Sequence, residues 1–553
     1  MPRQEIRKIL GIEDAEIERP ANPEFGDYST NAVLKLAKKE NKNSRQMAED
    51  LVARIRAEAP DIFAKIEVAG PGFINFFLAP SYSQRQVAEI IKAGDDFGAV
   101  NIGQSKKVQV EFISANPTGP LTLGNGRGGF FGDVLANVLA RAGFDVKREY
   151  FINDAGHQIE ALGHSILGDD KAQYQGNYID DLQKKLKDFL SEEPKIIGER
   201  AAAIIINEMI KPTIAERMKI KFDNWVSETR EIHQDKVLMD EIKRKLMDDN
   251  LVYEQDGAIW FKSTEYGDDK PRVLITSSQT EKNGEPTYFL ADAAYHYKKF
   301  IDSKFDKVID IWGADHHGYV ARLQAIGKAL GGWNESKLKI IIMQMVRLFE
   351  NGQEVRMSKR TGVYVTLDEL LDEIPLDVAR FFFLTRSPDT HMDFDLDLAK
   401  EQSQKNPVYY IQYAHARIHS ILAKSEIRNP KSETNPKSKI SNLKLELLIH
   451  HAELDLIKQL IRLPEVVEDT ARDYQVHRLP QYALDLVRTF HKFYEECRVL
   501  PALNRAEGSG SGSDESDDVD ETISQARLAL CEATRIVLKN TLDLMGISAP
   551  EKM

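Results

Sequence analysis

Two strings in this chain carry residues suited to phosphate chemistry: S-A-N-P-T-G-P-L-T-L-G-N-G-R-G-G at 114–129 and R-M-S-K-R-T-G at 356–362. The first follows an apolar run, Val108 to Ile113, that reads as a strand. It opens a stretch in which Phe130, Phe131, Val134, Leu135, Val138 and Leu139 recur at the spacing of one helix face. Strand, glycine-rich turn and helix start together predict an anion site. Backbone N–H groups and the positive end of the helix dipole would meet a phosphate there, with Gly124, Gly126, Gly128 and Gly129 letting a nucleotide approach. The second string brings cations, Arg356, Lys359 and Arg360, suited to negative charge growing on phosphate oxygens.

Elements must hold these strings in place, and the pattern divides the chain into three regions and an insertion. Within residues 1–85, Ala32 to Lys39 and Gln46 to Ala57 read as helices, and Ile66 to Leu78 as two strands around Gly70-Pro71-Gly72. From about 105 to 390 strands and helices alternate, which implies an α/β fold with a parallel sheet and crossover helices. Residues about 160–280 break that rhythm with charged helical stretches such as D-D-L-Q-K-K-L-K-D-F-L at 180–190 and a strand-like G-A-I-W-F-K at 257–262. They read as an insertion whose charges are solvated helix faces. From about 395 to 553 the pattern is helical, interrupted by a basic loop at 424–439 and by an acidic insert, about 506–522, expected to be disordered.

With 553 residues, 42% of them hydrophobic, the chain can bury several cores. No apolar run approaches the ~20 residues of a membrane span, and M-P-R-Q-E-I-R-K lacks the apolar centre of a secretion signal. A cytoplasmic protein with no membrane partner is therefore expected. Cys497 and Cys531 are too few and too far apart for a zinc knuckle; they read as reduced, buried side chains, and no metal site is expected. The net charge of −13 argues against a nucleic-acid partner, but six of the acids fall in Asp514 to Glu521, inside the acidic insert. Local basic surface, not the overall sum, decides RNA binding.

Several blocks resemble the class I aminoacyl-tRNA synthetases, and specifically arginyl-tRNA synthetases of bacterial type. They are V-E-F-I-S-A-N-P-T-G-P at 110–120, R-E-Y-F-I-N-D-A-G at 148–156, T-Y-F-L-A-D-A-A-Y-H at 287–296, W-G-A-D-H-H-G-Y at 312–319, N-P-V-Y-Y-I-Q-Y-A-H-A-R at 406–417 and the terminal S-A-P-E-K-M. The resemblance runs nearly the length of the chain. It implies a class I Rossmann-type catalytic domain over 105–390 with a connective insertion, a small α+β N-terminal domain over 1–85 that touches the tRNA elbow, and an all-helical anticodon-binding domain over 395–553. The implied activity joins L-arginine to tRNA(Arg) through an arginyl-adenylate, using ATP with Mg2+, in a monomer with no DNA partner.

The family's motifs carry over residue by residue. Lys359 matches the second lysine of the K-M-S-K-S loop and is the implied pyrophosphate cation; Arg356 stands at the first lysine, with Met357 and Ser358 between them. Pro117, Gly119, Gly124, Gly126, Arg127, Gly313 and Asp315 are expected around ATP. The family's H-x-G-H becomes Thr122-Leu123-Gly124-Asn125, so two hydrogen-bonding side chains that cannot carry a proton replace two imidazoles, and Arg127 is expected to offset the lost charge. That departure leaves a second reading open, a tRNA- and arginine-binding protein with weak or absent turnover. A guanidinium presents five donors in a plane and needs acceptors. The resemblance puts Glu111, Ser114, Asn116, Tyr288, Asp292, His316 and His317 around arginine, with Asn153, Asp154 and Gly156 shaping the site. It puts Asn22, Tyr28 and Asn31 on tRNA, and Tyr410 and Tyr413 under anticodon bases, which stack on aromatic faces.

Overall fold

The computed structural model describes residues 2–12, 15–234, 236–277, 284–355, 365–428, 443–500 and 515–553. At the N-terminus, helices Pro2–Leu10, Ala32–Glu40 and Ser44–Glu58 pack on an antiparallel sheet of β1 (Ile17–Glu18), β2 (Tyr28–Thr30), β3 (Phe63–Ala69) and β4 (Phe73–Leu78), ordered β1-β2-β4-β3. β3 and β4 are the pair expected around Gly70-Pro71-Gly72, and Ile66, Ile74, Phe76 and Leu78 enter the core.

The central sheet starts with β5 (Lys107–Glu111), β6 (Asp145–Ile152) and β7 (Asn224–Ser227). A small antiparallel sheet of β8 (Val252–Gln255), β9 (Ala258–Phe261) and β10 (Arg272–Ile275) follows, and the chain then returns as β11 (Lys307–Gly313) and β12 (Leu338–Met343). The five central strands are all parallel, in the order β12-β11-β5-β6-β7. The chain thus winds outward from β5 in one direction and from β11 in the other, and the crevice at the carboxyl ends of these two strands is where an open α/β sheet binds its ligand. β13 (Val346–Glu350), β14 (Gln353–Val355) and β15 (Met392–Asp395) make a further three-stranded sheet, ordered β14-β13-β15.

The helix Leu123–Arg141 connects β5 to β6, and every apolar residue that periodicity assigned to its inner face is buried. Its glycines permit close packing: a Cβ on Gly132 would lie 2.3 Å from the Phe112 ring, and one on Gly129 would lie 2.5 Å from Met218. The stretch expected as an insertion over 160–280 needs one correction, because β7 lies within it and pairs in parallel with β6. Asn224-Trp225-Val226-Ser227 is a short strand between charged flanks, too brief to show a period. Residues from Ile232 to Leu338 build a second core around Ile242, Phe261, Phe289 and Trp333.

The C-terminal region is helical, with Pro407–Arg428, His451–Leu460, Leu463–Asp473, Arg478–Glu496 and Glu515–Met545. The acidic insert expected to be disordered over about 506–522 is helix from Glu515 onward, while residues 506–514 lie outside the described residues. Acids at a helix N-terminus are favoured by its dipole, so this composition does not forbid a helix start. The first and last regions of the chain meet: Arg19 pairs with Glu465 at 2.8 Å and Lys458 with Asp27 at 2.7 Å. Cys497 and Cys531 are both free and buried. No helix among the described residues is long and apolar enough to cross a membrane.

Candidate active site

The glycine-rich turn sits at the carboxyl end of β5. Thr122 is the N-cap of the helix Leu123–Arg141 and forms a capping box with Asn125: the Asn125 N–H meets Thr122 Oγ1 at 3.4 Å, and Asn125 Oδ1 accepts from the Thr122 N–H and hydroxyl, each at 2.9 Å. Gly124 is exposed, and a Cβ there would be in ordinary contact with Thr122 Oγ1 at 3.7 Å, whereas one on Gly126 would meet Leu367 at 2.7 Å. Gly126 therefore admits a neighbouring helix and does not line the crevice. Thr122 also makes an antiparallel bridge with Thr366, and the Leu367 N–H donates to the Leu121 carbonyl at 2.9 Å. Arg356, Met357, Ser358 and Lys359 lie outside the described residues; β14 ends just before them, at Val355, and the described chain resumes at Val365.

Arg127 is corrected by the structure. Its guanidinium is buried and donates to the carbonyls of Gln344 at 2.7 Å and of Ser387 and Thr390 at 2.9 Å, and burial pulls it down to about 10. Two residues along a helix is a turn of about 200°, so Arg127 leaves the opposite side from Asn125. It fastens the ends of the segment that leads from β12 towards β15 and offers no charge to a phosphate.

The loop after β5 is strained: Ile113 and Ser114 hold φ of 68° and 36°, values that β-branched and other L side chains rarely adopt. The Ser114 hydroxyl donates to Glu111 at 3.1 Å and accepts from the Phe151 N–H at 3.1 Å, joining the ends of β5 and β6. Asn116 is exposed and its Oδ1 accepts from Asn153 Nδ2 at 3.2 Å, while Asn153 Oδ1 is buried with no partner among the described residues. Pro117 is buried under this loop, and Gly119 lies against the Tyr178 ring, 3.1 Å from a Cβ built there. Asp154 accepts from the Ser227 hydroxyl at 2.6 Å and the Thr229 N–H at 2.9 Å, tying β6 to β7. Gly156 has φ of 81°, and a Cβ there would lie 1.8 Å from the Tyr288 hydroxyl, which accepts from the His157 N–H at 3.2 Å. Only glycine fits beneath this tyrosine.

Tyr288 and Asp292 lie one turn apart on the helix Tyr288–Ile301, Tyr288 exposed and Asp292 half-buried. Burial pushes the Asp292 carboxyl up to about 7; nearby Glu228 adds to the rise, while His296 and the Tyr319 hydroxyl oppose it. Desolvation and the like charge of Glu228 both disfavour the ionised form of this carboxyl. Sequence reasoning missed Glu228, which is buried just past β7 and paired with His233 at 3.1 Å. Its signal was hidden with β7 inside the charged stretch.

Glu111 is also corrected. Its carboxylate is buried and already paired: Lys299 Nζ lies 2.6 Å from Oε2, the Tyr295 hydroxyl donates to the same oxygen at 2.8 Å, and Lys299 also reaches Asp310 at 3.2 Å. With its acceptors occupied, Glu111 supports the floor of the crevice and does not present a charge to ligand. At the end of β11, Gly313, Asp315, His316 and His317 are exposed, and His316 Nε2 lies 3.4 Å from Asp315.

The residues expected on tRNA separate. Asn22 is exposed and caps the turn Pro23–Phe25, whose Phe25 is 51% exposed. Tyr28 is fully buried, its hydroxyl donating to Glu465 at 2.6 Å, so it joins two regions of the protein and cannot face RNA. Asn31 is half-buried. The Tyr410 hydroxyl meets His491 at 2.8 Å with the two rings edge to face, which spends this side chain on helix packing; Tyr413 is half-buried.

Comparison with known families covers most of the chain. The Arginyl tRNA synthetase N terminal domain matches residues 3–78, the tRNA synthetases class I (R), catalytic domain matches 86–390, and the DALR anticodon binding domain matches 411–553. A curated arginine–tRNA ligase of Carboxydothermus hydrogenoformans is 43% identical over 97% of this chain and 94% of its own length. That of Caldanaerobacter subterraneus is 42% identical over 100% of this chain and 96% of its own. The solved arginyl-tRNA synthetase of Thermus thermophilus, at 21% identity, has the same fold with a TM-score of 0.76 over the whole of both chains.

Proposed function

We infer the roles of single side chains from one premise: this chain belongs to the class I arginyl-tRNA synthetases. It is an arginine–tRNA ligase, which uses ATP to make an arginyl-adenylate and then joins the arginyl group to tRNA(Arg). In the first step a carboxylate oxygen of arginine attacks the α-phosphorus and the bond to pyrophosphate breaks. In the second, the 2′-hydroxyl oxygen of the terminal adenosine attacks the arginyl carbonyl carbon, loses its proton, and AMP leaves. Both steps ask the protein for alignment and for stabilisation of charge on phosphate oxygens.

The bridge between Thr122 and Thr366 carries this reading, because it ties Thr366, downstream of R-M-S-K-R-T-G in the sequence, to the N-cap of the glycine-rich helix. It supports Lys359 as the cation for the departing pyrophosphate, with Arg356 and Ser358 beside it. Gly124 and the Asn125 amide face the phosphates, and Gly313 and Asp315 the adenosine. Mg2+ carried by the triphosphate would supply further positive charge there. Asp292 and Glu228 receive the guanidinium with help from Tyr319; the partnerless Asn153 Oδ1 accepts from the substrate's ammonium group, and Asn116 orients Asn153. His316 and His317 border the same crevice. On tRNA, the Asn22 turn meets the elbow and Tyr413 the anticodon. The enzyme works as a monomer in the cytoplasm.

Transfer of labelled arginine to tRNA(Arg), with Lys359→Ala alongside, tests this assignment. The parent charges tRNA, and the variant forms adenylate at least about tenfold more slowly with unchanged tRNA affinity, since the charge acts when pyrophosphate leaves. Absence of transfer by the parent sinks the catalytic reading, and equal losses in binding and turnover sink the role of Lys359.

A further inference from the structure

We propose that His450, His451 and Glu496 form a Zn(II) site, with the Cys497 thiol as fourth donor. His450 caps the helix His451–Leu460, Glu496 ends the helix Arg478–Glu496, and Cys497 follows it, so the site would join the start of one helix to the end of the other. One donor atom from each of the first three residues lies within 4.8 Å of the others, the one such group among the described residues. His451 Nε2 is 3.0 Å and His450 Nδ1 4.0 Å from Glu496 Oε2, and Cys497 Sγ is 3.3 Å from His450 Nδ1. Tetrahedral zinc with bonds of about 2.0–2.1 Å to nitrogen and oxygen sets its donors about 3.3–3.4 Å apart, so His450 would turn towards Glu496 and the Cys497 thiol would follow it to join the three.

Consecutive residues seldom bind one ion because their side chains diverge. Here they do not: the His450 and His451 ring centroids are 4.4 Å apart, both beside Glu496. His450 Nδ1 now meets the Ala452 N–H and the Cys497 thiol, both at a long 3.3 Å, contacts that an ion would replace. Two imidazoles, a carboxylate and a thiol suit zinc, whereas magnesium and calcium prefer oxygen alone. None of these four residues takes part in arginine activation as proposed above, so the site can fail or stand without touching that reading. Its role would be to clamp two helices of the anticodon-binding region.

The test uses the full-length, untagged protein after chelator treatment, titrated with Zn(II) by calorimetry and with Co(II) by absorption. One ion binds per chain, and Co(II) shows tetrahedral d–d bands and a thiolate charge-transfer band; Cys497→Ser abolishes the latter and retains the ion. His451 is exposed and Glu496 partly so, so His451→Ala and Glu496→Gln melt like the parent in chelator. Each weakens Zn(II) by more than the roughly 10–100-fold typical of losing an outer-shell partner. Non-saturating binding, a six-coordinate Co(II) spectrum, or unchanged affinity in His451→Ala and Glu496→Gln overturns the site.

Discussion

Asn125 Oδ1 accepts from both the backbone N–H and the hydroxyl of Thr122 at 2.9 Å, so the two residues that replace the family's paired imidazoles are bonded to each other. The Asn125 amide N–H2 is then the donor left for a phosphate. Asn125→Asp separates the two duties of this side chain. An aspartate keeps the acceptor for the cap and suits the helix dipole, but loses the donor and sets a negative charge against ATP. The variant should melt at or above the parent temperature while arginine-dependent ATP–pyrophosphate exchange falls by at least about tenfold, some 1.4 kcal/mol. A variant that exchanges as fast as the parent shows that the phosphates do not reach this residue.

Asp292→Asn tests the substrate pocket through activity and stability at once. Asparagine keeps the shape, removes the charge and points an N–H at the guanidinium. Breaking one side of a buried charged pair costs about 3–5 kcal/mol, so kcat/KM for arginine should fall at least about a hundredfold with little change for ATP. In the parent, a carboxyl at about 7 against an ordinary 3.8 binds its proton more tightly folded than unfolded. The empty enzyme therefore loses stability as pH rises from about 4 through 7, and arginine affinity weakens as pH falls through 7. Asp292→Asn should melt higher than the parent at pH 8, with the difference gone by pH 4. A variant less stable than the parent at pH 8 would mean that Asp292 is already paired within the protein.

What the sequence displayed depended on how local the cause was. The inner face of Leu123–Arg141 was legible because six apolar residues repeat at helical spacing and all of them are buried. That Tyr288 and Asp292 lie one helical turn apart was legible from their spacing, and Gly156 acquires its reason from the tyrosine above it. β7 was not legible, since four residues between charged flanks show no period, and Glu228 was lost with it. Arg127 lies two positions from Asn125 in sequence but on the other side of the helix, against carbonyls more than 200 residues away. Tyr28 sits in a polar loop motif whose burial is decided by Glu465 near the other end of the chain.

Tyr28→Phe should accordingly act on stability and not on RNA. The lost hydroxyl bonds Glu465 at 2.6 Å and takes a hydrogen bond from Arg19. A hydrogen bond to a charged group contributes about 1.5–3 kcal/mol, which should appear in denaturant unfolding as a lower midpoint. KM for tRNA in aminoacylation should stay within about twofold, less than 0.5 kcal/mol. A tenfold rise in that KM at unchanged stability would return Tyr28 to the RNA surface.

The buried charges beneath the crevice set the last prediction. His296 Nδ1 lies 2.8 Å from the Asp292 carbonyl and Nε2 2.8 Å from Asp310, so both ring nitrogens are held by the fold. Lys299 is the cation between Glu111 and Asp310. The Tyr295 hydroxyl lies between Glu111 and Glu149, and burial pushes the Glu149 carboxyl up. Removing a member leaves an uncompensated buried charge. Lys299→Met should therefore lose about 3–5 kcal/mol in denaturant unfolding. Glu111→Gln should also destabilise, while the folded enzyme keeps an arginine KM near that of the parent, because Glu111 is occupied by Lys299 and Tyr295. If Glu111→Gln instead melts like the parent and raises the arginine KM a hundredfold, the carboxylate faces substrate after all and Lys299 is not its main partner.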